Sequence, residues 1–143
     1  MKPSQEAHKL VKMREGLVLK VYKDSLGKLT AGYGHLIQPG EPTSGPIAQS
    51  QADKWFLSDI KSAEDAALEQ FQALPKKTQV LLDTLVSVNF QLGTQWFKKF
   101  RKTYSLMLNG DYDKAAFEVE DSLWAKQTPV RVRDFQRALW LSL

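Results

Sequence analysis

The sequence predicts an α+β fold, mostly α, with a small N-terminal β-hairpin or sheet, one long helix and a helical remainder. Three observations predict it. Between Arg14 and Leu36, residues Leu17, Leu19 and Val21 alternate with Val18, Lys20 and Tyr22, and four glycines punctuate the stretch. That is the pattern of short strands joined by tight turns. From Ser50 to Leu74 apolar residues instead recur every three or four positions, the period of a helix. After Pro75 the apolar clusters are separated by breakers such as Gly93 and Asn109-Gly110, as between packed helices.

The first helix is expected over 4–14. Ser4 can cap it, Ala7, Leu10 and Val11 form its apolar stripe, and Gly16 ends it. Glu15 then falls in or beside the last turn, where the carbonyl end of the helix dipole disfavours an anion. The strand that follows turns at Asp24-Ser25-Leu26-Gly27, with Asp and Gly where a tight turn wants them. Lys28 to Tyr33 forms the return strand, and Gly32 and Gly34 loosen it where another chain or a ligand comes close. Glu15 before the hairpin, Asp24 at its tip and Thr30 on its return strand can therefore face one small space.

The stretch from Gln38 to Pro46 holds three prolines and two glycines and reads as a loop. The long helix spans 50–74, about 37 Å at 1.5 Å per residue. Ser50 and Asp53 are expected to form its capping box. Ala52, Trp55, Phe56, Ile60, Ala63, Ala67 and Phe71 form its buried stripe. Thr78 to Gln91 is apolar nearly all round, so this helix belongs at the centre, and Gly93 closes it. Short helices are expected at 96–100, 102–108 and 112–120. Thr128 as N-cap with Pro129 as first helical residue starts the last one. On that helix Phe135, Leu139 and Trp140 are expected in the core, and Arg133 and Arg137 on the surface.

A chain of 143 residues is one domain by length. We expect a single domain over 1–143 with two lobes. One covers about 14–60 with the hairpin; the other covers about 75–143 together with helix 4–14. There is no cysteine, which excludes a disulfide framework and a thiolate metal site. With two histidines far apart in sequence, no metal is expected. No apolar run approaches the ~20 residues of a membrane span, and the N-terminus lacks the apolar core of a signal peptide. The net charge of +4 arises in the second half, notably at Lys98, Lys99, Arg101 and Lys102. Such a face is either a solvated helix surface or an approach surface for anionic polymers.

The frame Glu-Gly-Leu-x-Leu-x-x-Tyr-x-Asp-x-x-Gly-x-x-Thr-x-Gly-x-Gly-His-Leu over Glu15 to Leu36 resembles the catalytic segment of the phage-type lysozymes, glycoside hydrolase family 24. Phe90-Gln91-Leu92-Gly93 and Trp124 to Arg131 extend the resemblance over most of the chain. It implies a lysozyme-like two-lobed fold joined by the long helix, and an endolysin that hydrolyses the β-1,4 bond between N-acetylmuramic acid and N-acetylglucosamine in peptidoglycan. Carried over residue by residue, it implies Glu15 as general acid, and Asp24 and Thr30 as the pair that stabilises charge and holds water. It implies substrate contacts at Leu36, Phe90, Gln91 and Thr128, although Phe90 could equally pack in the core and Gln91 cap its helix. Arg131 would reach Glu15, holding the carboxyl in place while opposing the dipole's effect on it. His35 would pair with Asp59.

The resemblance implies no cofactor, and glycan strands as the partner of a monomer, with neither nucleic acid nor stable membrane insertion. The protein would wait in the host cytoplasm until a holin-type protein releases it to the wall. The stretch at 38–46 is shorter than its counterpart in the family, which walls one side of the cleft. Three rivals stay open. A lytic transglycosylase would use one acid and yield a 1,6-anhydro product. A basic nucleic-acid binder would use Lys98 to Lys102 and Arg131 to Arg137. A wall-binding module would keep the fold without turnover.

Overall fold

The computed structural model describes all residues, 1–143, as eight helices and one sheet. In chain order these are α1 (Gln5–Glu15), β1 (Val18–Lys23), β2 (Leu29–Gly32), β3 (His35–Leu36), α2 (Gln49–Gln72), α3 (Gln79–Leu92), α4 (Trp96–Lys99), α5 (Arg101–Leu108), α6 (Tyr112–Glu118), α7 (Leu123–Gln127) and α8 (Pro129–Trp140). The α+β expectation holds. α7 is an element the sequence reading did not separate; its local signal is Ser122, whose hydroxyl accepts the Ala125 N–H.

The sheet is antiparallel in the order β1-β2-β3, with Tyr22 opposite Thr30, Lys23 opposite Leu29, and Thr30 opposite Leu36. A register shift between Val18 and Tyr22 puts extra residues on β1, the signature of a bulge. It breaks the strand's alternation, so Leu17 and Leu19 stay 39 % and 41 % exposed rather than lining a core face. The bulged segment instead hydrogen-bonds outward: Val21 N–H donates to Gly45 O and Leu19 O accepts from Ile47 N–H, both at 2.9 Å. The end of the 38–46 stretch is thus bound to the sheet's free edge, where composition alone reads loop.

The capping box expected at Ser50 and Asp53 does not form. α2 begins at Gln49 behind Ala48, with no side-chain cap, and Asp53 accepts from Gln49 Nε2 at 2.9 Å. Ala48 O already takes the Gln51 and Ala52 N–H groups, each at 3.1 Å, so Ser50 lies inside the first turn. The predicted stripe on α2 is buried from Ala52 to Phe71.

Most of that stripe joins α1, α3, α5, α6, α7 and α8 in one apolar cluster. Only Trp55 joins Ala31 and Ile47 in a second, small cluster beneath the sheet. α3 is central, buried continuously from Leu81 to Asn89. Trp140 departs from expectation. It is 43 % exposed, and its indole N–H donates to Asp113 Oδ1 at 3.0 Å. The core stripe of α8 runs through Val132, Phe135, Ala138 and Leu139, and position 140 has rotated off that face.

Candidate functional site

α1 is tied at both ends. The Ser4 N–H and hydroxyl donate to Asp83 on α3, at 2.8 and 2.5 Å. Arg14 holds Asp134 on α8 through two hydrogen bonds, at 2.7 and 2.9 Å. The planar fork of Arg suits such a bidentate grip, and it fixes the helix end that carries Glu15. Gly16 then leaves the helix with φ of +72°, a conformation open to glycine.

Glu15 is gripped on two sides. Arg131 donates from Nη1 to Glu15 Oε2, while its Nη2 donates to the Ser87 hydroxyl and carbonyl, at 3.1 and 3.3 Å. Arg131 is 8 % exposed, and its Nε finds no partner. On the other side Gly34, with φ of +69°, presses against the second carboxylate oxygen, and a Cβ there would collide with it. The close approach expected at Gly34 is therefore made by a side chain of the same protein. Ser87 was a readable clue: like Asp83, Thr84 and Asn89 it is a polar residue on a helix buried from Leu81 to Asn89, and a polar side chain buried there needs a partner.

At the hairpin tip Asp24 closes the turn. Its Oδ1 accepts the Leu26 and Lys28 N–H groups, at 2.8 and 2.9 Å, and its backbone pairs with Lys28 and Gly27. Oδ2 has no hydrogen bond within the chain. Thr30 is buried, and its hydroxyl donates to Lys28 O at 3.0 Å. That commits its proton and leaves lone pairs to accept.

Tyr22 on β1 lies opposite Thr30. Burial pushes its phenol up from the ordinary tyrosine value, and the negative charges of Glu15 and Asp24 push it further the same way. The phenol thus feels the charge of both carboxylates. Tyr22 was not singled out from sequence, although counting pairs outward from the turn brings it opposite Thr30.

A groove of about 300 Å³ opens beside this centre, with Gly34, Leu36 and Gln38 on the sheet side, Asp59 and Ser62 on α2, and Phe90 and Thr94 on the far side. Leu36 is 44 % exposed and Phe90 half-buried. Gln91 and Thr128 lie elsewhere. Gln91 donates to Thr128 Oγ1 and accepts from Trp124 Nε1, both at 2.9 Å. Thr128 Oγ1 also donates to Trp124 O at 3.3 Å, and no side-chain cap bond to α8 forms. The hydroxyl expected to cap the last helix is spent joining α3 to α7.

His35 lies in the groove wall with both ring nitrogens engaged, Nδ1 by Asp59 at 2.7 Å and Nε2 by Glu41 at 2.8 Å. The ring stacks on Trp55 with centroids 4.3 Å apart. Burial alone would lower its pKa, but the hydrogen bonds to Glu41 and Asp59, with their negative charges, outweigh it and raise the value. Burial would raise Glu41, yet the Gln38 N–H and His35 bring it below the usual carboxylate range. Glu41 was missed from sequence, because nothing periodic marks a residue in a proline- and glycine-rich stretch. With both nitrogens taken, this histidine offers no lone pair to a metal.

A helical bundle thus closes over a small sheet, and the clamped Glu15 carboxylate meets Gly34, which lines the groove between them. A sequence model of the phage lysozyme family matches residues 12–135, and the chain belongs to that family. The endolysin of Acyrthosiphon pisum secondary endosymbiont phage 1 is 32 % identical over 97 % of both chains. The pre-baseplate central spike protein Gp5 of Enterobacteria phage T4 is 30 % identical over 90 % of this chain. The peptidoglycan hydrolase gp36 of Pseudomonas phage phiKMV is 31 % identical over 81 %. The chain spans 26 % of the length of Gp5 and 13 % of that of gp36. No helix is long and apolar enough to cross a membrane.

Proposed function

We propose that this protein hydrolyses peptidoglycan as a muramidase, cutting the β-1,4 bond between N-acetylmuramic acid and N-acetylglucosamine. The observation that carries the proposal is Glu15 clamped between Arg131 and Gly34, where Gly34 also lines the groove between the sheet and the helical bundle. Cleaving a glycoside needs a proton on the leaving oxygen and a carboxylate opposite an oxocarbenium-like centre. Glu15 in its acid form gives its proton to the glycosidic oxygen, held in orientation by Arg131 and Gly34. Asp24 stabilises the developing positive charge through the oxygen left free of the turn.

Water is then held by two acceptors, that oxygen of Asp24 and the lone pairs of Thr30, so that its own lone pair meets the anomeric carbon. As the new C–O bond forms, Asp24 takes the water's proton. This geometry inverts the anomeric centre and requires the carboxyls to stand ~6.5–9.5 Å apart. Leu36 and Phe90 line the sugar path across the groove. Gln91 and Thr128 act there through the brace they form, together with Trp124, at the end of α3. The two lobes of the single domain are the two walls, and the target is the wall polymer a released endolysin meets.

The test is mass spectrometry of the fragments released from purified sacculi. Hydrolysis adds one water per cut and leaves reducing ends. A 1,6-anhydro product would replace this reading with a lytic transglycosylase.

A further inference from the structure

The outer face of α8 holds a second concave site that the reaction does not use. Pro129, Val132, Arg133, Gln136, Arg137 and Trp140 follow one another at steps of three or one and so share a face. With Glu120 and Ala125 they enclose about 630 Å³ and share no residue with the groove beside Glu15. That volume suits a small ligand rather than a polymer strand.

Its chemistry is specific. Arg133 and Arg137 are exposed, and neither is in an ion pair. Gln136 is 6 % exposed; its Nε2 donates to Ala116 O at 2.9 Å, while its amide oxygen receives no hydrogen bond from the chain. An amide oxygen without a partner in the chain, on a residue that lines the cavity, is free to accept an N–H. Trp140 offers an exposed ring whose orientation Asp113 fixes, and Ala125, Pro129 and Val132 make an apolar wall.

We propose that this site binds the carboxylate-terminated end of a short peptide. Two free guanidiniums match a carboxylate bidentately, the Gln136 oxygen receives a peptide N–H, and a small apolar side chain lies on Trp140 and Val132. Glu120 on the rim repels a bare anion and favours a ligand that also brings N–H donors. Resting on the muramidase reading, the natural source is the alanine-ended peptide stems of peptidoglycan, so the enzyme would grip stems while cutting strands.

The test follows the Trp140 indole N–H by NMR during titration with acetyl-D-alanyl-D-alanine. Saturable millimolar binding is expected. It should weaken about ten-fold or more with the C-terminal amide, with acetate, and in the Arg133→Gln/Arg137→Gln variant, a change of about 1.4 kcal/mol per decade. A dispersed spectrum shows the variant to be folded. Absent saturation, equal binding of acid and amide, equal binding of acetate (an adventitious ion only) or an unaffected variant would each overturn the site. Because the titration needs no turnover, it stands apart from the muramidase reading. That reading fails instead if the wild type releases nothing from either intact sacculi or peptide-stripped strands. With both hypotheses right, the wild type prefers the intact sacculi and the double variant loses much of that preference.

Discussion

Beneath the sheet the buried apolar cluster consists of Ala31, Ile47 and Trp55, whereas the helical bundle buries 24 apolar side chains in one continuous cluster. The bundle is thus set by area removed from water. The sheet is placed by directed contacts: the carboxylates on either side of His35, the stack of His35 on Trp55, and the backbone pairing of Gly45 and Ile47 with the bulged β1. The proposed chemistry lies across the boundary, since Glu15 ends a helix of the bundle and Asp24 and Thr30 belong to the sheet. Losing core on the sheet side should therefore cost less stability than on the bundle side, while directed contacts there matter more for activity.

The largest effect is expected at Phe135, fully buried in the bundle. Phe135→Ala should cost about 3–5 kcal/mol, and Ile47→Ala under the sheet only about 2. Urea midpoints of the two variants check the contrast, and equal losses would break it. Next comes Arg131→Met, which leaves both the Glu15 carboxylate and the Ser87 hydroxyl without the guanidinium that holds them. Removing one partner of a buried pair costs about 3 kcal/mol or more, and wall clearing should fall with it. Urea denaturation combined with a turbidity assay separates the two losses.

A smaller effect, and one that changes with pH, belongs to His35. Hydrogen bonds to charged groups contribute about 1.5–3 kcal/mol, so His35→Asn should lower the melting temperature near pH 6. The folded pKa of His35 is raised, so its contribution is complete below its unfolded value of about 6.5 and is lost as pH rises through the folded value. Glu41 is lowered, so its contribution is present above about pH 4.3 and is lost as pH falls through the folded value. The gap between wild type and variant should be widest at about pH 5–6.5 and narrow above it. A gap independent of pH would mean that His35 acts by packing on Trp55 alone.

The same boundary separates what was legible in the sequence from what was not. Periodicity marks buried area, so the stripe on α2 and the burial of α3 could be read directly. Local chemistry placed Ser4, Gly16 and the turn at Asp24. Distance along the chain defeated the rest. Glu41 reaches His35 from a stretch with no period, and Ser4 finds Asp83 79 positions away. Trp140 was assigned to the core because an apolar residue at a helix end carries no sign of which way the last turn faces. Ser50 and Thr128 have the residue type of caps, but neighbouring groups had already claimed the bonds. The frame from Glu15 to Leu36 was read through its resemblance to the phage-type lysozymes, and the hairpin on which it places Asp24 and Thr30 is present.

The proposed chemistry turns on Glu15 as the proton donor, and the direct measurement is clearing of permeabilised bacteria by Glu15→Gln against wild type, with cooperative melting as the control for folding. A general acid contributes about 10²–10⁴-fold. The variant should melt cooperatively, retain its circular dichroism and lose at least about 100-fold in rate. A folded Glu15→Gln protein that clears cells as fast as wild type would contradict the account.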